Sequence, residues 1–375
     1  MFTLIKKAFV YSPEPLGIKD VLVSCGKIVL IEDDINITGL GEIQVFNADG
    51  LLMLPGFIDQ HVHIVGGGGE GSFATRTAEI TPNELYENGI TTVVGILGTD
   101  GVTRTVGNLY AKACELEEKG LTTYIYTGSY QVPPVTLTGD IQKDIVYIDK
   151  VVGVGEIAIS DHRSYNPSEE ELERLAAMAR VSGMIGGKAG VIHLHMGDGK
   201  DGLKPVLNAV EATSIPIAQF VPSHVNRNKR LFDEALLFWD RGGNMDLTAG
   251  FEKEAGFVDC VPSYVAMKMI VNSGRTLERV TLSSDANGSA PSFDADGNLV
   301  KLEVASCSKL LEDARKAIFN LGLDITQVLK TFTSNPAQLL KFKNKGTISV
   351  GKDSDFLLVD EGLNIIKVHT SHFLK

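Results

Sequence analysis

The sequence predicts an α/β protein whose central part has the size of a closed (β/α)8 barrel, joined to a small β domain assembled from both chain ends. Two observations carry this expectation. Eight short apolar or β-branched runs recur between residues 51 and 287, separated by stretches with helical spacing. The two ends are written differently, as short strands and turns. Strands alternating with helices argue for a parallel sheet, and periodicity alone leaves a doubly wound open sheet as the alternative.

In order, the runs are Leu51 to His63, Thr91 to Leu97, Thr122 to Tyr130, Val151 to Ser160, Gly190 to Met196, Ile217 to His224, Asn244 to Gly250 and Arg279 to Asn287. Between them lie helix candidates such as PSEEELERLAAMARVSG, where acidic residues after Ser168 suit the positive first turn of an amphipathic helix. Residues 1–54 contain VLVSCGKIVLIEDD, and the tail, GTISVGKDSDFLLVDEGLNIIKV, repeats the style. Two half-sheets that short would be marginal apart, so residues 1–54 plus 347–375 are expected to form one small domain and residues 55–346 the barrel.

Composition narrows the function. Hydrophobic residues make up 43% and charged residues 22%, an ordinary globular balance. The start, MFTLIKKAFVYSPEPLGIKD, interrupts its apolar residues with lysines and prolines, so neither a secretory segment nor a membrane span is expected, and the cytoplasm is the expected location. Cys25, Cys114, Cys260 and Cys307 are scattered without a CxxC pair, which fits reduced, packing thiols. A net charge of -12 without a basic block argues against a nucleic-acid partner. No GxGxxG follows a suitable first strand, so a dinucleotide is not indicated.

The chemistry-bearing residues gather at the ends of the runs. His61 and His63 end the first, Tyr130 the third, His195 the fifth, His224 the sixth and Asp285 the eighth, with Glu156 near the end of the fourth. In a (β/α)8 barrel these ends share the face on which active sites are built. His61 and His63, two apart on a strand, project to the same side and can grip one metal. An isolated HxH is more often two satisfied histidines, but His61, His63, His193, His195 and His224 are five of the eight in the chain. That concentration favours zinc ligation by imidazole and carboxylate. Of the second HxH, His195 is the expected ligand and His193 a supporting or core group. His162 could line the site, whereas His369 and His372 are expected to be solvated. Gly66 to Gly69 could be a plain turn, yet it would let backbone approach a ligand and place Glu70 over the site. Arg163, Arg227 and Ser289 also follow strand ends. Two arginines and a carboxylate around one pocket suggest a zwitterionic or multiply charged substrate.

PGFIDQHVHIVGGGGE, LGTD, SDHR, HMGD, SHVNRN and LSSDANGS, in this order and over almost the whole chain, resemble the amidohydrolase superfamily and, within it, the isoaspartyl (β-aspartyl) dipeptidases. The resemblance implies a (β/α)8 barrel with a small β-sandwich domain, two zinc ions per chain, a large homo-oligomer, and hydrolysis of small dipeptides whose aspartyl residue is linked through its side chain. Carried across position by position, it implies that His61, His63 and Asp285 hold one zinc and His195 and His224 the other. Glu70 would meet the substrate α-amino group and Arg163, Arg227 and Ser289 its carboxylates. Tyr130 would polarise the scissile carbonyl, and backbone around Gly68 and Thr99 would line the pocket.

One departure stands out. Dipeptidases of this family usually bridge the metals with a carboxylated lysine in the strand before SDHR, and this chain reads GVGEIAISDHR there. Glu156 is the ionisable residue placed to substitute, since a glutamate and a lysine carbamate both present two anionic oxygens. Glutamate is shorter, so the fourth strand is expected to bulge inward, with Gly155 allowing it. The expected reaction uses a bridging water acidified to hydroxide, with Asp285 as general base and then acid. The competing expectations are a hydantoinase- or dihydroorotase-type enzyme, an N-acyl amino acid hydrolase, and a non-catalytic binding protein on the same scaffold.

Overall fold

The computed structural model describes residues 2–37, 43–253, 257–293 and 299–372. Five strands open the chain: β1 (Phe2–Tyr11), β2 (Pro15–Ser24), β3 (Lys27–Glu32), β4 (Ile43–Asn47) and β5 (Leu52–Pro55). Eight parallel strands follow: β6 (Phe57–Val62), β7 (Ile90–Gly95), β8 (Thr122–Thr127), β9 (Val151–Ile159), β10 (Val191–Met196), β11 (Phe220–Ser223), β12 (Met245–Thr248) and β13 (Val280–Ser283). A hairpin, β14 (Ser289–Phe293) with β15 (Leu299–Val304), and two closing strands, β16 (Phe356–Val359) and β17 (Ile365–His369), complete the sheets.

Strands β6 to β11 pair side by side in chain order as a six-stranded parallel half-barrel, and β12 pairs with β13. Apart from the half-buried Tyr124 in β8, all eight are buried along their length, as parallel strands covered on both faces must be. Backbone bonds link the two groups. Val225 donates to the Asp246 carbonyl at 3.3 Å, and His63 donates to the Ala286 carbonyl at 2.9 Å beside a parallel bridge between Val62 and Ala286. The end of β13 therefore lies against β6, the first parallel strand. Seven of the eight runs contain one of these strands whole, β7 begins one residue before its run at Ile90, and the helix expected after Ser168 spans Glu169–Gly186. Ser168 and Glu171 form its capping box, and Gly187, in the left-handed region at φ 65°, ends it.

Two elements depart from expectation. The first run splits at Gly56: Leu52–Pro55 joins the sheet made by the chain ends, and only Phe57–Val62 enters the parallel sheet. A Cβ at Gly56 would stand 2.2 Å from Thr91 Oγ1, so the crossing point has room for backbone alone. The β14–β15 hairpin was not foreseen.

Strands β1 to β5 with β16 and β17 form one continuous seven-stranded sheet. Strand β1 pairs in parallel first with β4 and then, past a register shift between Ile5 and Ala8, with β5. The sheet has its own core, including Ile5, Val10, Val21, Ile28, Met53 and Phe356. No described helix is long and apolar enough to cross a membrane.

Candidate metal centre and active site

The parallel strands deliver a ring of buried donors to one place. His61 lies near the end of β6 and His63 just past it, Glu156 in β9, His195 in β10, His224 after β11 and Asp285 after β13; all are buried. Strand β9 reaches the centre through a bulge. Ile192 pairs with Val154, but Leu194 pairs with Ile157, so Gly155 and Glu156 together face His193. A Cβ at Gly155 would stand 2.8 Å from the His193 Cβ, so glycine is what permits the kink.

Glu156 occupies the middle of the ring. Its Oε1 is 2.7 Å from His195 Nδ1, 3.1 Å from His224 Nε2 and 3.5 Å from His61 Nε2, and its Oε2 is 3.8 Å from His63 Nε2. Asp285 Oδ1 lies 3.3 Å from His61 Nε2 and 3.1 Å from His63 Nε2. Burial alone would raise the Glu156 and Asp285 carboxyls, but the surrounding imidazoles hold both well below the usual carboxylate range. Burial pushes the His224 imidazole down to about 3, leaving it neutral.

These residues fit a divalent cation. His61 Nε2, Glu156 Oε2 and Asp285 Oδ1 are buried without a hydrogen-bond partner in the structure, although buried polar atoms are nearly always satisfied. Donor atoms of His61, His63 and Asp285 lie within 4.8 Å of one another, and so do those of His61, Glu156 and His224. Imidazole with carboxylate is the donor chemistry zinc prefers. A third cluster, His61 with His193 and Asp246, meets the same distance but does not fit. Asp246 is consumed by Gln60 Nε2 and the hydroxyls of Ser223, Thr281 and Ser283 at 2.6 to 2.8 Å, and His193 Nε2 bonds His61 Nδ1 at 2.8 Å. His193 is thus the supporting group that aims His61 Nε2 at the centre.

Other supports were missed in the sequence. Asp161 Oδ2 is 3.1 Å from His195 Nε2 and 2.9 Å from Arg163 Nη2, while Asp161 Oδ1 accepts from Arg163 Nε at 2.9 Å. Thr248 Oγ1 holds His224 Nδ1 at 2.7 Å. His224 and Asp285 both sit in the left-handed region, at φ 60° and 55°, strain that such surroundings over-determine.

A cavity of about 1030 Å³ opens onto this ring, lined among others by Gly68, Thr99, Tyr130, His162, Arg163, Arg227 and Ser289. Tyr130 Oη is 2.8 Å from His195 Nδ1, and burial raises its phenol well above the usual value, so it remains a proton donor. Glu70 Oε1 accepts from Ser289 Oγ at 2.8 Å, Thr99 Oγ1 at 3.2 Å and Arg163 Nη1 at 3.3 Å, while its Oε2 is buried without a hydrogen-bond partner. Arg227 Nε is likewise unpartnered, and its guanidinium lies 5.5 Å from the Phe251 ring. Arg227 lines the cavity directly, whereas Glu70 stands behind the lining residues Ser289, Thr99 and Arg163 that bond its Oε1.

The β-aspartyl dipeptidase of Fervidobacterium islandicum AW-1, solved with β-Asp-Leu dipeptide, superimposes with a TM-score of 0.92 and 48% identity, covering 99% of this chain and 96% of that one. The chain belongs to the amidohydrolase superfamily, in its β-aspartyl dipeptidase branch. A second structure of the F. islandicum enzyme agrees, with a TM-score of 0.90, 47% identity and the same coverage. Residues 262–373 match the amidohydrolase family on their own. A dihydroorotase of Listeria monocytogenes is 31% identical over 212 residues, which is 52% of this chain and 46% of that protein, so the match spans under half of that relative.

The structure brings together every residue that the sequence singled out for metal or substrate: His61, His63, Glu156, His195, His224 and Asp285 in the ring, and Gly68, Glu70, Thr99, Tyr130, Arg163, Arg227 and Ser289 around the cavity. His369 differs from expectation. It is half-buried, stacked on Phe356 at 4.7 Å, with Nδ1 2.7 Å from the Ser354 carbonyl. The apolar letters around it signalled a strand, not which face the ring would take.

Proposed function

We propose that this chain hydrolyses β-aspartyl (isoaspartyl) dipeptides with two zinc ions. The observation that carries the reading is the position of Glu156, a buried carboxylate whose two oxygens are approached by imidazoles from β6, β10 and the end of β11. His61, His63 and Asp285 would hold one ion, His195 and His224 the other, and Glu156 both, in place of the family's carboxylated lysine. Bound zinc ions would supply an acidified water as nucleophile and Lewis acidity toward the scissile carbonyl.

The chain's own groups would do the rest. Asp285 would take the proton of the attacking water and pass it to the leaving amine. Tyr130 donates to the carbonyl oxygen as negative charge develops there. Glu70 receives the α-ammonium through Oε2, and Arg163, Arg227 and Ser289 meet the carboxylates. Backbone at Gly68 and Thr99 shapes the pocket beside the ammonium.

A dihydroorotase-type reading draws on the Listeria relatives, but a cyclic amide carries no ammonium to satisfy Glu70 Oε2. The wider architecture belongs to the same reading: residues 55–346 as one closed (β/α)8 barrel, and residues 1–54 with 347–375 as a small β-sandwich domain. That the four cysteines form no disulfide supports the cytoplasm as location, and assembly into a homo-oligomer follows from the family.

Purified protein should contain two equivalents of zinc and cleave β-aspartyl dipeptides without added bicarbonate, because no lysine needs carboxylation. Faster turnover of dihydroorotate or a hydantoin would overturn the substrate, and a protein that retains no metal even after reconstitution would overturn the chemistry.

A further inference from the structure

We propose that Phe251, Phe257 and Val258 form an apolar wall that receives the side chain of the leaving residue, so that bulky apolar leaving residues are preferred over glycine. The inference rests on the dipeptidase reading and adds what that reading leaves open, the identity of the second residue.

The layout of the cavity fixes the direction of the substrate. Glu70 and its partners Thr99 and Ser289 follow β6, β7 and β13, so the ammonium end lies on that side. The scissile carbonyl must sit over Glu156, His195 and Tyr130. The residue beyond the bond then extends toward the segments after β11 and β12, where Arg227 and the two phenylalanines stand.

That side is apolar by construction. The rings of Phe251 and Phe257 stack at 4.0 Å with 24° between planes, and Phe251 in turn stacks on His224 at 5.8 Å, which ties the pair to the metal ring. Arg227 lies over both rings, at 5.5 and 6.0 Å. Val258 is 70% exposed although it lines the cavity, so no role in the core explains an aliphatic residue there. Charged groups flank the wall, with Lys229 paired to Asp233, Arg230 paired to Glu234, and Asp259 also lining the cavity. A leucine or phenylalanine would cover two rings and a valine, contact that glycine lacks.

The test compares kcat/KM for β-Asp-Leu, β-Asp-Phe and β-Asp-Gly in the zinc-loaded enzyme and in Phe257→Ser, Val258→Ser and Phe257→Leu. The wild type is expected to favour leucine and phenylalanine over glycine by roughly tenfold or more, mainly through KM, because the wall binds ground and transition states alike. Both serine variants should reduce that ratio several-fold, and Phe257→Leu should keep most of it. Val258 is exposed, so its serine variant folds even if the Phe257 variants do not. Equal efficiency on all three peptides, or a ratio unchanged in Val258→Ser, would overturn the wall while leaving the dipeptidase reading intact. Cleavage of none of them would overturn that reading itself.

Discussion

Asp285 combines two duties, and its surroundings show how one side chain can hold both. Its Oδ1 faces His61 and His63, and its left-handed backbone, at φ 55°, keeps the carboxylate turned into the cavity. Asp285→Asn should keep the shape but lose the proton acceptor, lowering kcat by about 10² to 10⁴-fold at full zinc occupancy. Steady-state kinetics with metal analysis would check this; kcat within threefold of the wild type would remove the base from the mechanism. Asp161 acts one step back, through His195 and Arg163. Asp161→Asn should lower kcat/KM by about ten- to a hundredfold with little change in the unfolding midpoint; an unchanged kcat/KM would mean other contacts orient His195. The ligands were legible because histidines and carboxylates stood at the ends of apolar runs. Asp161 was not, because SDHR drew attention to its arginine. Which ring nitrogen of His195 meets which carboxylate depends on how β9 and β10 twist together.

At the scale of the element, the bulge in β9 decides whether a glutamate can do what a longer carbamylated lysine does elsewhere. Two residues of β9 against one of β10 push Glu156 into the ring, and Gly155 is the point of close approach to His193. Gly155→Ala should destabilise the fold by about 1–3 kcal/mol through overpacking and weaken zinc retention, read by denaturant unfolding and competition with a chelator. A variant matching the wild type in both would show that the bulge does not depend on glycine. The alternation of strand and helix was readable but left the strand order open, and a bulge or shift in the fourth strand followed from the family's lysine being absent beside a glycine. The split at Gly56 is marked in the sequence by Pro55-Gly56, which breaks the run without saying that its halves enter different sheets. The β14–β15 hairpin was hidden as well, since SAPSF lacks the alternation that marks a half-buried strand.

For the whole molecule, the seven-stranded sheet and the parallel strands are locked together by Lys345. Its buried ammonium bonds Thr122 Oγ1 on β8 at 2.6 Å and pairs with Asp353 at 2.9 Å and with Asp355. Lys345→Met would leave the buried Asp355 carboxylate without a cation and Asp353 with Lys27 alone, and should cost about 3–5 kcal/mol, seen as a lower Tm. Burial alone would raise the Asp353 carboxyl, but Lys345 and Lys27 hold it below its usual value. Its contribution is therefore present above about pH 4, the unfolded value, and fades as pH falls through the lower folded value. The Tm difference between wild type and Lys345→Met should be steady from pH 5 to 8 and shrink below pH 4; a difference independent of pH would assign the loss to packing. The joining of both chain ends into one small sheet was readable from their shared style, whereas its single continuous hydrogen-bonded path depends on β1 changing partners at one register shift. Across all scales the central claim is that Glu156 bridges two metal ions, and anomalous diffraction at the zinc edge from crystals of the zinc-loaded protein tests it most directly. Two peaks flanking the Glu156 carboxylate, one among His61, His63 and Asp285 and one beside His195 and His224, are the expected result. A single peak, or two peaks with Glu156 turned away from either, would contradict the account.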